Sequence, residues 1–119
     1  VNDDRGAELA RHYFGLIDEG KLRESVDLFA PGAEYRRPGH DPFVGRDAIA
    51  HFYCDLRPIR EGAHRLTTVL QSGDEVAVAG EFHGRMNDGS DIHLKFADFF
   101  RVGQDGFDRR ETFFFAPLV

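Results

Sequence analysis

Residues 75–102 read EVAVAGEFHGRMNDGSDIHLKFADFFRV. Two runs with period-two patterning flank Asn87-Asp88-Gly89, a turn that favours a tight hairpin. In the second run, Ile92, Leu94, Phe96, Asp98, Phe100 and Val102 share one face. His93, Lys95, Ala97, Phe99 and Arg101 share the other. Alternation therefore sets a carboxylate, Asp98, in the middle of an apolar face. An unpaired buried carboxylate costs several kcal/mol, so Asp98 must be ion-paired, hydrogen-bonded or protonated. Each of those states is common in active sites, which makes Asp98 the first candidate for chemistry. In the first run the face of Val76, Val78, Phe82 and Met86 is expected inside, leaving Glu81, His83 and Arg85 outside. A curved sheet that enclosed a pocket would allow His83 to line it instead.

Further strands are expected on either side. His64 to Leu70 is rich in Thr and Val and ends at Gln71-Ser72-Gly73-Asp74. Phe107 to Phe115 follows the loop Gly103-Gln104-Asp105-Gly106. Upstream the period changes. Leu9, Tyr13, Leu16 and Ile17 mark one face of a helix ended by Gly20. Leu22, Val26 and Phe29 mark a second helix that stops before Pro31-Gly32. Ala33 to Arg37 reads as a short strand. A third helix, with Ile49, Phe52, Tyr53 and Leu56, is closed by Pro58. Helices first and a run of antiparallel strands afterwards describe a single α+β domain over residues 1–119.

The composition excludes several function classes. The chain has 119 residues, 15 Lys and Arg against 21 Asp and Glu, and a net charge of −6. That balance disfavours nucleic acid and anionic membrane surfaces as partners. No apolar stretch is long enough to span a bilayer, and the first residues carry no apolar signal core. Cys54 is the single cysteine, which fits a reducing, cytoplasmic compartment. The six His show no metal-ligand spacing, and phosphate-binding loops and nucleophile elbows are absent. Neither a metal nor another cofactor is expected. There are 12 Phe and no Trp, with at least half of the Phe between Phe96 and Phe115. Such a concentration suits either a core or the lining of a pocket for a flat apolar ligand.

Tyr13, on the apolar face of the first helix, needs a partner for its hydroxyl once buried. The loop after the first strand brings Arg37, His40 and Asp41 close together in sequence, and loop residues on a rigid scaffold are often functional.

Four strings resemble the nuclear-transport-factor-2-like superfamily, and within it the ketosteroid isomerase and SnoaL-like polyketide cyclase group. They are YFGLIDEG (13–20), LFAPGAEY (28–35), FVGRDAIAHFY (43–53) and ADFFRV (97–102). The resemblance implies a curved antiparallel sheet wrapped with about three helices into a cone around an apolar pocket, and a homodimer. Tyr13 falls where the isomerases carry their oxyanion-hole tyrosine, and Asp98 where they carry a protonated aspartic acid. The position of their general-base Asp is occupied here by Arg37, which cannot take a proton at neutral pH. His40, Asp41, or an Asp98 paired with Arg37 are the candidate replacements. Epoxide hydrolases of the same fold use an Asp–Arg–Asp set, of which Asp98 with Arg37 or Arg85 imitates a part.

The expectation is a cofactor-independent isomerase or cyclase acting on a small hydrophobic carbonyl compound through an enolate. Asp98, Tyr13, His40 and Arg37 would be catalytic. Tyr35, Phe52, Tyr53, Phe96, Phe100, Phe113, Phe115 and His83 would bind the substrate. The alternatives are a non-catalytic ligand-binding or dimerisation module, or an epoxide-hydrolase-like enzyme. Ala97, Phe99 and Phe114 are expected on the outer, dimer-forming face of the sheet.

Overall fold

A computed structural model describes residues 3–115. Helix α1 (Arg5–Asp18) and the short α2 (Leu22–Val26) precede β1 (Phe29–Arg36) and the two-residue β2 (Phe43–Val44). Helix α3 (Arg46–His51) widens into a π-type turn, Phe52–Leu56. Four long strands follow: β3 (Ile59–Ser72), β4 (Glu75–Met86), β5 (Asp91–Gly103) and β6 (Gly106–Phe114). They form one unclosed six-stranded sheet in the order β2-β1-β6-β5-β4-β3. The fold is α+β, a curved sheet holding its helices on the concave side. No helix among the described residues is long and apolar enough to cross a membrane.

The core follows the expected periodicities. Tyr13 and Ile17 of α1 are buried, as are Val76, Val78 and Phe82 of β4 and Phe96, Asp98 and Phe100 of β5. The string 43–53 acts as a clasp between helix and sheet. Gly45 sits at φ 92°, a conformation that a side chain would strain. Arg46 Nε and Nη2 donate to the Phe29 carbonyl at 3.0 and 2.7 Å. Ile49, Phe52 and Tyr53 then point into the core.

Three boundaries and one strand direction differ from expectation. Phe29 belongs to β1 rather than α2, because Pro31-Gly32 lies within the strand at an exposed irregularity between Phe29 and Glu34. Proline is tolerated in a strand at such a bulge. The third helix stays α-helical only to His51, because its last turn opens into the wide one. Strand β3 starts right after Pro58, five residues before the Thr- and Val-rich stretch, which alternation of exposed charges had disguised. The sheet is not wholly antiparallel: β1 runs parallel to β6, since the crossover through most of the chain returns β6 alongside it in the same direction.

One irregularity reorients a whole strand. Val102 pairs with Phe107 and Arg101 with Arg109, so Asp108 is an extra residue in β6. Beyond a bulge every side chain changes face relative to simple alternation. Arg110, Thr112 and Phe114 consequently point inward with Phe107, while Phe113 is 45% exposed.

Candidate active site

Within the curve of the sheet, α1, the wide turn and β3 to β6 surround a narrow slot. Its volume is about 30 Å³, room for one or two waters. Tyr13, Phe14 and Ile17 come from α1, Tyr53 and Arg57 from the wide turn, and Arg37 from the end of β1. Ile59, His64, Phe82, Leu94, Phe96, Asp98, Arg110, Thr112 and Phe114 complete the wall. Phe82 can lie along it because Gly62 and Gly84 flank its ring; a Cβ at Gly62 would stand 2.2 Å from the Phe82 ring.

Asp98 is fully buried. Arg110 grips both of its oxygens, Nε donating to Oδ1 at 3.0 Å and Nη2 to Oδ2 at 2.9 Å. The Thr112 hydroxyl donates to Oδ1 as well. The sheet register accounts for this pairing. Asp98 faces Thr112 and Phe100 faces Arg110, so Arg110 is the diagonal neighbour of Asp98 on the inner face. Burial draws the Arg110 guanidinium down, but Asp98 and the phenolic oxygens around it outweigh this and hold it well above its ordinary value. It stays charged.

The remaining Arg110 nitrogen, Nη1, donates to Tyr13 Oη at 2.7 Å and to Tyr53 Oη, and the two hydroxyls bond to each other. Burial raises both phenols above their usual range, partly opposed by the Arg110 charge. Each therefore keeps its proton at neutral pH. One proton lies between the two oxygens. The other has no acceptor among the described residues and is free for a ligand oxygen. This is a hydroxyl donor backed by a buried cation, the arrangement that stabilises a developing oxyanion.

A second pair stands in the same wall. His64 Nδ1 lies 2.6 Å from Asp18 Oδ1, and the His64 backbone N–H donates to Asp18 Oδ2 at 2.8 Å. Phe14, Phe82 and Phe96 pack around the ring. Burial lowers the His64 pKa from 6.5; Asp18 opposes that, while the charges of Arg110 and Arg57 add to it. The imidazole is neutral at pH 7, donates Nδ1–H to Asp18, and leaves Nε2 as a basic nitrogen. Orientation of a base by a carboxylate behind it is the logic of catalytic triads.

A model of the SnoaL-like domain matches residues 10–107. The chain belongs to the SnoaL-like family. No curated protein matches its sequence. Its SnoaL-like fold is similar to that of an NTF2-like protein of unknown function from Burkholderia pseudomallei, at 18% identity and a TM-score of 0.83, covering 92% of this chain and 90% of that one. It is similar to SalBIII, an epoxide hydrolase/cyclase-like enzyme in pyran ring formation of salinomycin, at 19% identity and a TM-score of 0.81, covering 94% and 92%. A protein named as a SnoaL-like polyketide cyclase from Shewanella denitrificans gives 12% identity and a TM-score of 0.81, covering 95% and 92%.

Of the residues singled out in the sequence, the SnoaL-like slot gathers Tyr13, Arg37, Tyr53, Phe96 and Asp98. Tyr35, Phe52 and Phe100 are buried behind its wall. The Tyr35 hydroxyl bonds Thr112 Oγ1 at 3.2 Å and accepts from Arg37 Nη1 at 2.9 Å. Five assignments require correction. His40 is an exposed loop residue packed against Phe43 and Phe52, and Asp41 beside it is exposed too. His83 faces outward, stacked on His93 at 3.8 Å, because the Val76–Phe82 face turned inward. Phe113 and Phe115 are exposed and Phe114 lines the slot, the reverse of what was expected, because the Asp108 bulge shifts β6 by one. Asp98 pairs with Arg110 rather than with Arg37 or Arg85; Arg85 is exposed beside Asp91.

Sequence reasoning missed Arg110, Arg57 and His64. Position 110 was hidden by the bulge, and the Asp18 partner of His64 lies 46 residues away in sequence. Among the described residues no group of three or more His, Cys, Asp or Glu is close enough to hold a metal ion.

Proposed function

We propose that the protein moves a proton at a carbon beside a carbonyl group, isomerising or cyclising a small flat apolar compound of polyketide type through its enolate. One observation carries this reading: a carboxylate-oriented imidazole, His64 on Asp18, shares a slot with a hydroxyl donor backed by Arg110. His64 Nε2 takes the proton, in place of His40 or Asp98. The free hydroxyl of the Tyr13–Tyr53 pair stabilises the enolate oxygen. Asp98 fixes Arg110, since both of its oxygens are engaged. General-base catalysis of this kind contributes roughly 10²–10⁴-fold. The family's polyketide cyclases support the substrate class. An epoxide-hydrolase mechanism needs a second carboxylate on the water, and among the described residues Asp98 is the one carboxylate in the wall.

The test is deuterium exchange at the acidic carbon of 2-tetralone, followed by NMR. Exchange above the buffer rate that is lost in His64→Gln is expected. Exchange unchanged in that variant would sink the assignment, and ligand binding without any exchange would favour a carrier.

The outer sheet face is the second part of the reading. Ala79, Ala97 and Phe113 lie in one cross-strand row, with Ala77 and Phe99 in the next. Phe99 is 51% exposed and Leu70 64% exposed nearby. Apolar side chains contiguous across three strands suit a homodimer interface. The free thiol of Cys54 is exposed, in keeping with a reducing cytoplasmic compartment.

A further inference from the structure

Among the described residues three guanidinium groups, Arg37, Arg57 and Arg110, line the slot with a single carboxylate, Asp98. Arg110 already holds that carboxylate. Arg37 and Arg57 have no carboxylate partner among the described residues, so the wall carries an excess of two positive charges. The whole chain has a net charge of −6, and general surface electrostatics do not account for the contrast.

Arg57 is the more exacting case. Its Nε is buried with no hydrogen-bond partner among the described residues, and its centre lies 5.8 Å from the Tyr53 ring. Burial, with the neighbouring charges of Arg37 and Arg110, pulls its guanidinium below the ordinary value, partly offset by the Tyr53 and Tyr13 oxygens. Arg37 is held between aromatic faces, 5.2 Å from the Phe52 ring and 5.1 Å from the Phe114 ring. Among the described residues its guanidinium makes one hydrogen bond, to the Tyr35 hydroxyl. Cations confined beside apolar walls without a counterion are costly, and are retained where something anionic completes them. A planar guanidinium matches a carboxylate in particular, through two parallel N–H bonds.

We propose that the ligand of this slot is a flat apolar carboxylate. Its carboxylate is taken by Arg57 and Arg37, and its body lies against Ile59, Leu94 and Phe96. The proposal rests on the slot being the ligand site and adds the charge of the ligand to that reading. A cationic or neutral ligand would leave both guanidinium groups unanswered.

The experiment measures binding alone. Benzoate and 2-naphthoate are titrated calorimetrically against the wild type, beside their methyl esters and the matching aryl trimethylammonium ions. The acids are expected to bind at least tenfold more tightly than the esters, and the cations not measurably. Arg57→Gln and Arg37→Gln should each erase most of that preference, while Arg57→Lys, which keeps the charge, should retain part of it and show that the scaffold is intact. The readout is binding without turnover, so loss of the acid preference in the arginine variants is scored separately from loss of exchange in the base variant, and either reading can fail alone. Equal affinity for acid and ester overturns the proposal, and so does failure of both acids to bind at millimolar concentration.

Discussion

Arg110 and Asp98 face one another across the diagonal of the β5–β6 ladder, deep in the concave side of the sheet, joined by two parallel hydrogen bonds. The same guanidinium supports the hydroxyls of Tyr13 and Tyr53 with its third nitrogen. A contact that looks like a structural ion pair from the side of the sheet is, from the side of the slot, the charge behind a hydroxyl donor.

Removing one member of this pair strands the other. Asp98→Asn and Arg110→Met should each destabilise the protein by about 3–5 kcal/mol. The double variant should lose clearly less than the sum, because no charge is left buried alone. Urea denaturation of the four proteins tests this, and additive losses would show that the two residues do not interact.

The phenols share one function, so their deletion is non-additive. Tyr13→Phe leaves Tyr53 to accept from Arg110 and to donate its own proton outward, and Tyr53→Phe does the reverse. Each single change should weaken binding of a planar phenol such as 2-naphthol less than tenfold. The double change removes the donor and should cost on the order of a hundredfold. A single variant as weak as the double one would mean that only that hydroxyl reaches the ligand.

Acid should act on His64 twice. Its pKa is lowered from 6.5 in the folded chain, so the unfolded chain takes up the proton first as pH falls. The stability it contributes is complete above about 6.5 and is lost as pH drops toward the lowered folded value. Tetralone exchange should follow the same limb, flat at neutral pH and falling below it, with an apparent pKa under 6.5. An exchange rate that rose or stayed level from pH 7 to pH 5 would contradict a neutral imidazole base.

Charge on the outer face should separate the subunits. Wild type is expected to sediment as a dimer at micromolar concentration, and Phe99→Lys with Phe113→Lys as a monomer of unchanged circular dichroism. A wild-type monomer would remove the interface.

Much of this architecture is written in local patterns. The position of Tyr13 follows from helical spacing, and the inward Asp98 follows from plain alternation in β5. Both landed in the slot because nothing irregular intervenes in either element. The clasp 43–53 is similarly local, its glycine, arginine and apolar residues all acting within a few turns. What stayed hidden depended on an irregularity or on distance. One inserted residue, Asp108, reverses the facing of Arg110, Phe113 and Phe114, and no propensity in Asp-Arg-Arg-Glu announces it. His64 becomes a candidate base only when the end of α1 delivers Asp18 to β3, a contact made by packing rather than by spacing. Arg57 reaches the slot because the helix widens at Phe52–Leu56, and wide turns of this kind recur where side chains serve a site.

A resting slot of about 30 Å³ has a kinetic corollary. No ring system fits a space that size, so the wall must widen first, and Phe114, half-buried with the Arg37 guanidinium 5.1 Å from its ring, is the side chain placed to move. A first-order opening then precedes entry, and the observed association rate should level off at the opening rate as ligand is raised rather than climb without limit. Apparent affinity is diminished by the fraction of molecules standing open. A substitution that merely propped the wall apart, such as Phe114→Ala, would speed entry and exit together while leaving the chemistry at His64 where it was.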